Sequence, residues 1–369
     1  MISGAIRQIV ILAACLSIAM PAGAASPERE ILVGVNYFAG WWEPLPNKWH
    51  TQDGHDWRED YPQRVPLLGQ YNDQATMDKE IVAAADHGVD FFAILWYGAE
   101  SRESPHPHGA LLNRGVEHFM ASPHAGRLAF MIEYCNHPPF GIKSEARWNE
   151  CVQTWVAAMK HPSYLRVGGR CVFKVHGGHY FQLENDRDMA RSRARLDALR
   201  QAARDAGVGE LVIGVGVGDA EAIPAGHWAA QLFDFTASYM GIPQIAQREE
   251  DYAFTDLRAY IAEGRLKHAA DAVPYLPFAA AGWNPRPWGD PRPRFTLPTR
   301  QEWTDSLVEM KSHLSQHRFG LPLPDGGVQP AFTIYAWNEF GEGGMVAPTQ
   351  GEQYMKLEAI REVFGADKP

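Results

Sequence analysis

Glu339 and Glu342 stand three residues apart where an apolar run (Phe332, Ile334, Ala336) gives way to Trp337-Asn338-Glu339-Phe340-Gly341-Glu342-Gly343-Gly344. Two carboxyls beside an indole and an amide are equipped for general acid/base work on an acetal. Burial near the ring raises one carboxyl pKa so that it donates a proton, while a better solvated partner stays ionised. The glycines let the backbone turn sharply and let a ligand come close. A Glu after a strand is ordinarily a solvated loop charge. Delivery together with Trp337 and Asn338 at the end of an apolar strand favours chemistry here.

Such a strand needs neighbours to hold it. Short apolar runs read as strands at 31–38, 89–96, 128–134, 171–176, 211–217, 233–239, 273–278 and 332–337. Helical patterns lie between them at 77–87, 111–121, 145–160, 188–206, 255–264 and 303–317, with a last one at 354–364 and only short pieces at 220–223 and 228–231. Eight strand–helix alternations imply parallel strands with helical crossovers, and the expected fold is an α/β single (β/α)8 TIM-type barrel over residues 26–369. An open nucleotide-binding sheet would carry a Gly-rich phosphate turn after its first strand, and none is there. Gly214-x-Gly216-x-Gly218 lacks the third spaced glycine and reads as a barrel strand with close packing.

In a barrel the groups that close the strands converge on one cleft. The strand ends supply Tyr37, Trp96, Tyr97, Glu133, His176, Tyr239, Trp283, Trp337 and Asn338. Aromatic faces stack on the C–H surfaces of sugar rings, and amides and carboxylates bind hydroxyls, so the lining suits a carbohydrate substrate. A single Trp or Tyr in a strand is more often core than platform; the joint placement carries the argument. After the seventh strand, Arg286, Arg292 and Arg294 lie among prolines, where guanidinium groups could pair with an anionic sugar, although solvated arginines balancing an acidic chain are the plainer reading. His106 and His108 alternate with prolines and lack ligand geometry, so no metal or other cofactor is expected.

Composition narrows the partners. The chain of 369 residues is 46% hydrophobic and 21% charged with a net charge of -10, which suits a globular protein and disfavours nucleic acid. Residues 1–25 read as a secretory signal, with Arg7, an apolar stretch and Ala22-Gly23-Ala24, and the mature protein is expected outside the cytoplasm, periplasmic or extracellular. Leu12-Ala13-Ala14-Cys15 offers a lipoprotein site as the lesser alternative. No later segment is apolar for long enough to span a membrane. Cys135, Cys151 and Cys171 form an odd set without Cys-x-x-Cys spacing and read as buried thiols, with one disulfide as the alternative.

Trp337-Asn338-Glu339-Phe340-Gly341-Glu342-Gly343 resembles the Trp-Asn-Glu-aromatic-x-Glu-Gly signature of glycoside hydrolase family 99 and WbsX-like proteins. Pro348-Thr349, Gly34-Val35-Asn36-Tyr37-Phe38, Pro66-Leu67-Leu68-Gly69-Gln70-Tyr71, Gly88-Val89-Asp90-Phe91-Phe92, His161-Pro162-Ser163-Tyr164 and Gly282-Trp283-Asn284-Pro285-Arg286-Pro287 support it in order along the chain. The resemblance implies a retaining glycosidase without cofactor. In it Glu339 would act as base on the sugar's own 2-hydroxyl, giving an anhydro-sugar intermediate, and Glu342 as acid on the leaving oxygen. The family's mannosidases carry His before the second glutamate and Thr after the following glycine, where this chain has Gly341 and Gly344. A WbsX-like glycosyltransferase of surface polysaccharide and a non-catalytic carbohydrate-binding barrel are the competing readings.

Overall fold

Period-2 alternation along eight parallel strands builds the protein, with one face of each strand turned to the barrel axis and the other to the helices. The computed structural model describes residues 30–98, 109–218 and 221–365; the expected signal segment, Cys15, His106 and His108 lie outside the described residues. The barrel strands are Leu32–Tyr37, Phe91–Tyr97, Ala129–Cys135, Arg170–Val175, Leu211–Gly216, Phe235–Ala237, the pair Tyr275–Leu276 and Phe278–Ala280, and Val328–Tyr335. Neighbours pair in parallel in that order. The eighth strand pairs with both the first and the seventh, which closes the ring. The seventh strand is split because Pro277 has no N–H to give, yet its carbonyl still accepts from the Thr333 N–H at 2.9 Å across the closure.

The expected (β/α)8 barrel is the fold observed, and each expected strand has its counterpart within a few residues. Crossover helices follow the same pattern, several with side-chain caps: Asp73 on Gln74–Asp86, Ser144 on Glu145–Met159, Asp188 on Met189–Asp205, and a full capping box from Thr299 and Glu302 on Arg300–Gln316. A further short helix, Gly178–Glu184, follows the fourth strand without having announced itself in the pattern. Two short antiparallel additions, Arg166–Val167 and Gly320–Pro322, flank the fourth and eighth strands. The three cysteines among the described residues are buried thiols.

Glycines thin the barrel wall where rings from neighbouring strands enter. A Cβ on Gly34 would lie 2.1 Å from the Phe91 ring, and one on Gly214 would lie 2.1 Å from the Phe235 ring. The Gly214–Gly216 run is therefore barrel packing, as its spacing indicated. Above this layer the axis turns polar. Lys174, from the fourth strand, meets Glu133, from the third, at 2.9 Å with both side chains fully buried. Asn36 donates to the same carboxylate at 2.9 Å and His176 Nδ1 lies 2.6 Å from it.

The segment of residues 38–73, between the first strand and its helix, is the least regular part of the fold and wraps to the exit of the eighth strand. Its tryptophans pack on one another and on Phe340: Trp41 and Trp49 ring centres are 4.1 Å apart, and Trp49 stacks on Phe340 at 5.8 Å. Such pairs add roughly 0.5–1.5 kcal/mol each beyond the area they bury.

A buried ion pair broken on one side leaves an uncompensated charge. Lys174→Met is expected to destabilise the protein by about 3–5 kcal/mol in denaturant unfolding, and the double variant Lys174→Met/Glu133→Leu to recover most of that loss. Equal instability of single and double variants would show that the pair does not carry the effect.

Candidate active site

The eighth strand ends in a tight hairpin. Asn338–Glu339 pairs antiparallel with Gly344–Met345, the single turn Phe340–Glu342 links them, and Gly343 takes the left-handed φ of 73° that lets the chain double back. Both glutamates thus leave one rigid corner. The Asn338 amide fastens that corner to the first strand, accepting from the Phe38 N–H at 2.9 Å and donating to the Phe38 carbonyl at 2.8 Å, while Trp41 Nε1 donates to the Asn338 carbonyl at 2.8 Å.

Tyr239 and Tyr335 join the two carboxyls. The Tyr239 hydroxyl bonds to Glu339. The Tyr335 hydroxyl donates to Glu342, and the two rings meet edge-on at 5.1 Å. His176 lies against Tyr239 at 4.5 Å, so the Glu133–Lys174–His176 cluster forms the floor beneath the pair. Burial and the charges of Glu339 and Glu133 push Tyr239 far above the ordinary phenol value, which keeps it a protonated donor. Burial alone would raise Glu133, but the Lys174 ammonium and His176 hold it below the usual carboxylate value, and it stays ionised.

Burial pushes Glu339 up to about 7, against the pull of Lys48 and the Tyr239 hydroxyl. It pushes Glu342 up to about 7 as well, against Arg292 and Lys48 and with help from Asp290. Glu342 keeps 18% of its side chain accessible, so water offsets part of its push. Two carboxyls each titrating near 7 hold on average about one proton at neutral pH. That is the protonation state in which one member is an acid and the other a base.

Of three further groups at this site, Lys48 and Tyr335 carry no clear signal in the sequence, and Arg292 is one of the three loop arginines set among prolines. Lys48, from the long segment after the first strand, holds its ammonium 4.5 Å over the Trp288 ring and 5.9 Å from Phe38 while acting on both glutamates. Arg292 lies 3.9 Å from Glu342, 4.4 Å over the Trp283 ring, and is paired with Asp290 at 2.6 Å. Tyr335 ends the eighth strand, Val328–Tyr335, and Trp337 lies beyond that end, so alternation does not relate the two side chains.

The expected lining divides by the face each side chain takes. Tyr97, Glu133, His176 and Tyr239 face the pair or its floor. Tyr37, Trp96 and Trp337 do not. Tyr37 turns outward to donate to buried Glu80 on the first helix at 2.8 Å, Trp96 packs on helical Trp155 at 5.3 Å, and Trp337 packs on Phe92 at 5.0 Å behind the strand. Consecutive strand residues point to opposite faces, so Tyr37 and Trp96 belong to the helix-facing core; Trp337, beyond the end of the eighth strand, packs into the same core. Asn338 is committed to Phe38, and Trp283 is buried behind Tyr335 with its indole donating to the Pro293 carbonyl at 3.0 Å. Arg286 is paired with Asp251 at 2.7 Å, together with Arg294 at 3.1 Å, and is not aimed at the glutamates.

The two glycines that depart from the mannosidase pattern have a packing reason. A Cβ on Gly341 would lie 2.2 Å from the Trp288 ring, and one on Gly344 would lie 2.3 Å from the Tyr335 ring. Trp288, which carries Lys48 on its face, occupies the space a side chain at 341 would need. Among the described residues no cluster of three or more His, Cys, Asp or Glu is arranged to hold a metal ion, and no helix is long and apolar enough to cross a membrane.

No family model and no curated protein matches the sequence. Solved structures do match the fold. A glycoside hydrolase-like protein aligns with a TM-score of 0.59 at 15% identity, over 94% of this chain and 97% of its own. The GH99 endo-alpha-mannosidase from Bacteroides thetaiotaomicron aligns with a TM-score of 0.56 at 15% identity, over 90% of this chain and 98% of its own. The barrel is thus shared along nearly the whole length of both.

A carboxyl whose folded pKa is raised holds its proton between about 4.5 and about 7 while the unfolded chain has lost it, so stability falls as pH rises through that window. Glu339→Gln removes the penalty. Its unfolding temperature is expected to match the parent near pH 5 and to exceed it near pH 8, by an amount worth up to about 3 kcal/mol. Parallel pH dependence in the two proteins would contradict the raised value.

Proposed function

We propose that this chain is a glycoside hydrolase in which Glu339 and Glu342 cleave a glycosidic bond. The observation that carries the reading is the convergence of both carboxyls, each near neutrality, on Tyr239, Tyr335 and Lys48 at the carboxyl end of the barrel. A binding barrel has no need to hold two desolvated acids together. The sharing of a fold with a GH99 endo-alpha-mannosidase supports the same assignment, as does the motif around the pair.

Following the family resemblance, Glu339 takes the proton of the sugar's 2-hydroxyl, that oxygen attacks the anomeric carbon, and Glu342 gives its proton to the leaving oxygen. Water then opens the anhydro-sugar by the reverse transfers, its proton passing to Glu342 while Glu339 returns a proton to the 2-oxygen. Two inversions retain the configuration. The Tyr239 hydroxyl favours the ionised form of Glu339, and burial, with Asp290, favours the protonated form of Glu342 against Arg292 and Lys48.

Charge at the mouth argues for a neutral glycan. Asp251 neutralises Arg286 and Arg294, Asp290 neutralises Arg292, and Lys48 faces the one negative charge the glutamates share. Trp288 in place of a side chain at 341 alters the space beside Glu342, which supports a sugar other than the mannoside of the resembled enzymes. Residues 1–25 support action after export, on polysaccharide or oligosaccharide outside the cytoplasm.

In a screen of neutral and anionic polysaccharides, Glu339→Gln and Glu342→Gln are each expected to lose roughly 10²–10⁴-fold in turnover, with glycan binding kept. Undiminished turnover in either variant would remove that residue from the mechanism. The parent's kcat/KM should follow a bell-shaped pH profile with its maximum near 7; a flat profile between pH 5 and 9 would refute titration of the pair near neutrality. Arg286→Ala should leave the preference between charged and neutral glycans unchanged, and a shift of that preference would restore the anionic reading.

A further inference from the structure

Arg64 takes no part in the chemistry above, yet its side chain ends against the corner that carries both glutamates. It closes the short turn Pro62–Arg64 and is only 3% exposed. Among the described residues its guanidinium hydrogen-bonds to neutral acceptors alone. Nη1 donates to the Asn284 carbonyl at 2.8 Å and to the Phe340 carbonyl at 3.3 Å, Nη2 donates to Asn284 Oδ1 at 3.1 Å, and Nε has no partner. Burial lowers its pKa to about 10, so the group is a desolvated cation at neutral pH. The guanidinium also lies 5.3 Å over the Tyr61 ring, but a buried cation held by carbonyls and one aromatic face still costs stability relative to an apolar side chain.

The acceptors explain it. Phe340 lies between Glu339 and Glu342, and the Asn284 N–H donates to the Glu342 carbonyl at 2.6 Å. Asn284 is itself fixed by its amide, which donates to Asp251 at 2.8 Å and to the Phe295 carbonyl at 2.9 Å. One planar fork therefore ties the loop after the seventh strand to the turn after the eighth. We propose that Arg64 is the positioning residue that sets where Glu342 and Glu339 stand during the reaction; the proposal rests on the glycosidase reading. A lysine at this place is a point charge that reaches one acceptor, whereas the fork spans three.

The backbone that carries Arg64 does not depend on its side chain. Leu67 N–H donates to the Pro348 carbonyl, Gln350 N–H to the Val65 carbonyl and Gly351 N–H to the Gln63 carbonyl, each at 2.9 Å. Removal of the guanidinium should free the corner and leave the segment in place.

The test compares the parent with Arg64→Ala and Arg64→Lys on the glycan found in the screen, with and without millimolar guanidinium chloride. Arg64→Ala should lose about 10²-fold in kcat with KM within about threefold, and Arg64→Lys should lie between it and the parent. Guanidinium ion should restore Arg64→Ala by about tenfold and leave the parent unchanged, while urea at equal concentration restores nothing. Amide exchange over residues 338–345 should quicken by about tenfold or more in Arg64→Ala and slow again with guanidinium, as expected for one lost charge-assisted bond. Unchanged kcat, or a loss that guanidinium does not repair and that follows the fall in melting temperature, would overturn the proposal. A parent protein that cleaves nothing would sink the glycosidase reading instead, and the exchange data alone would then decide whether Arg64 pins the turn.

Discussion

Keeping two carboxyls out of water on one tight hairpin is the constraint around which the upper half of this protein is arranged. Desolvation favours the neutral form of each, so each titrates near neutrality in spite of the cations around it. Such an arrangement works against folding stability and persists only where the surroundings over-determine the geometry. Here the hairpin is gripped from several sides: by Asn338 on Phe38, by Trp41 on the Asn338 carbonyl, by Tyr239 and Tyr335 on the acids themselves, and by Arg64 from behind.

The barrel interior repeats the same physics with opposite protonation. Glu133 is as buried as Glu339, but Lys174 at 2.9 Å compensates its charge and it remains ionised. Among the described residues Glu339 has no ammonium as close. Burial is comparable, and the distance to a cation decides which carboxyl gives up its proton readily. A floor of fixed charge under a pair poised near neutrality gives a polar ligand preorganised dipoles on one side and proton transfer on the other.

The loops after the first and seventh strands finish the site, and neither could be built without the other. Trp288 comes from one and Lys48 from the other, and the indole N–H of Trp288 donates to the Lys48 carbonyl at 3.2 Å while its face lies under the Lys48 ammonium. Gly341 makes that meeting sterically possible. The departure from the resembled motif at 341 is thus a local exchange, in which a ring from a distant loop fills the volume given up by a side chain.

Alternation of apolar runs and amphipathic stretches determined the eight-stranded barrel, because burial against helices on one side imposes a pattern that a sequence cannot hide. The pairing of Glu339 with Glu342 at the last strand's exit was legible for the same reason. Residues at strand ends could be named but not aimed: Tyr37 and Trp96 have the right types at the right places, yet a period of two turns both toward the helices, and Trp337, past the end of its strand, falls outside any period and packs on Phe92. Lys48, Trp288 and Arg64 lie in irregular segments whose course follows from contacts more than two hundred residues apart in the chain, and Arg292 follows Trp288 in the same loop. Periodicity records only which side of an element is buried, so the assembly of those loops over the carboxyls was decided by tertiary packing alone.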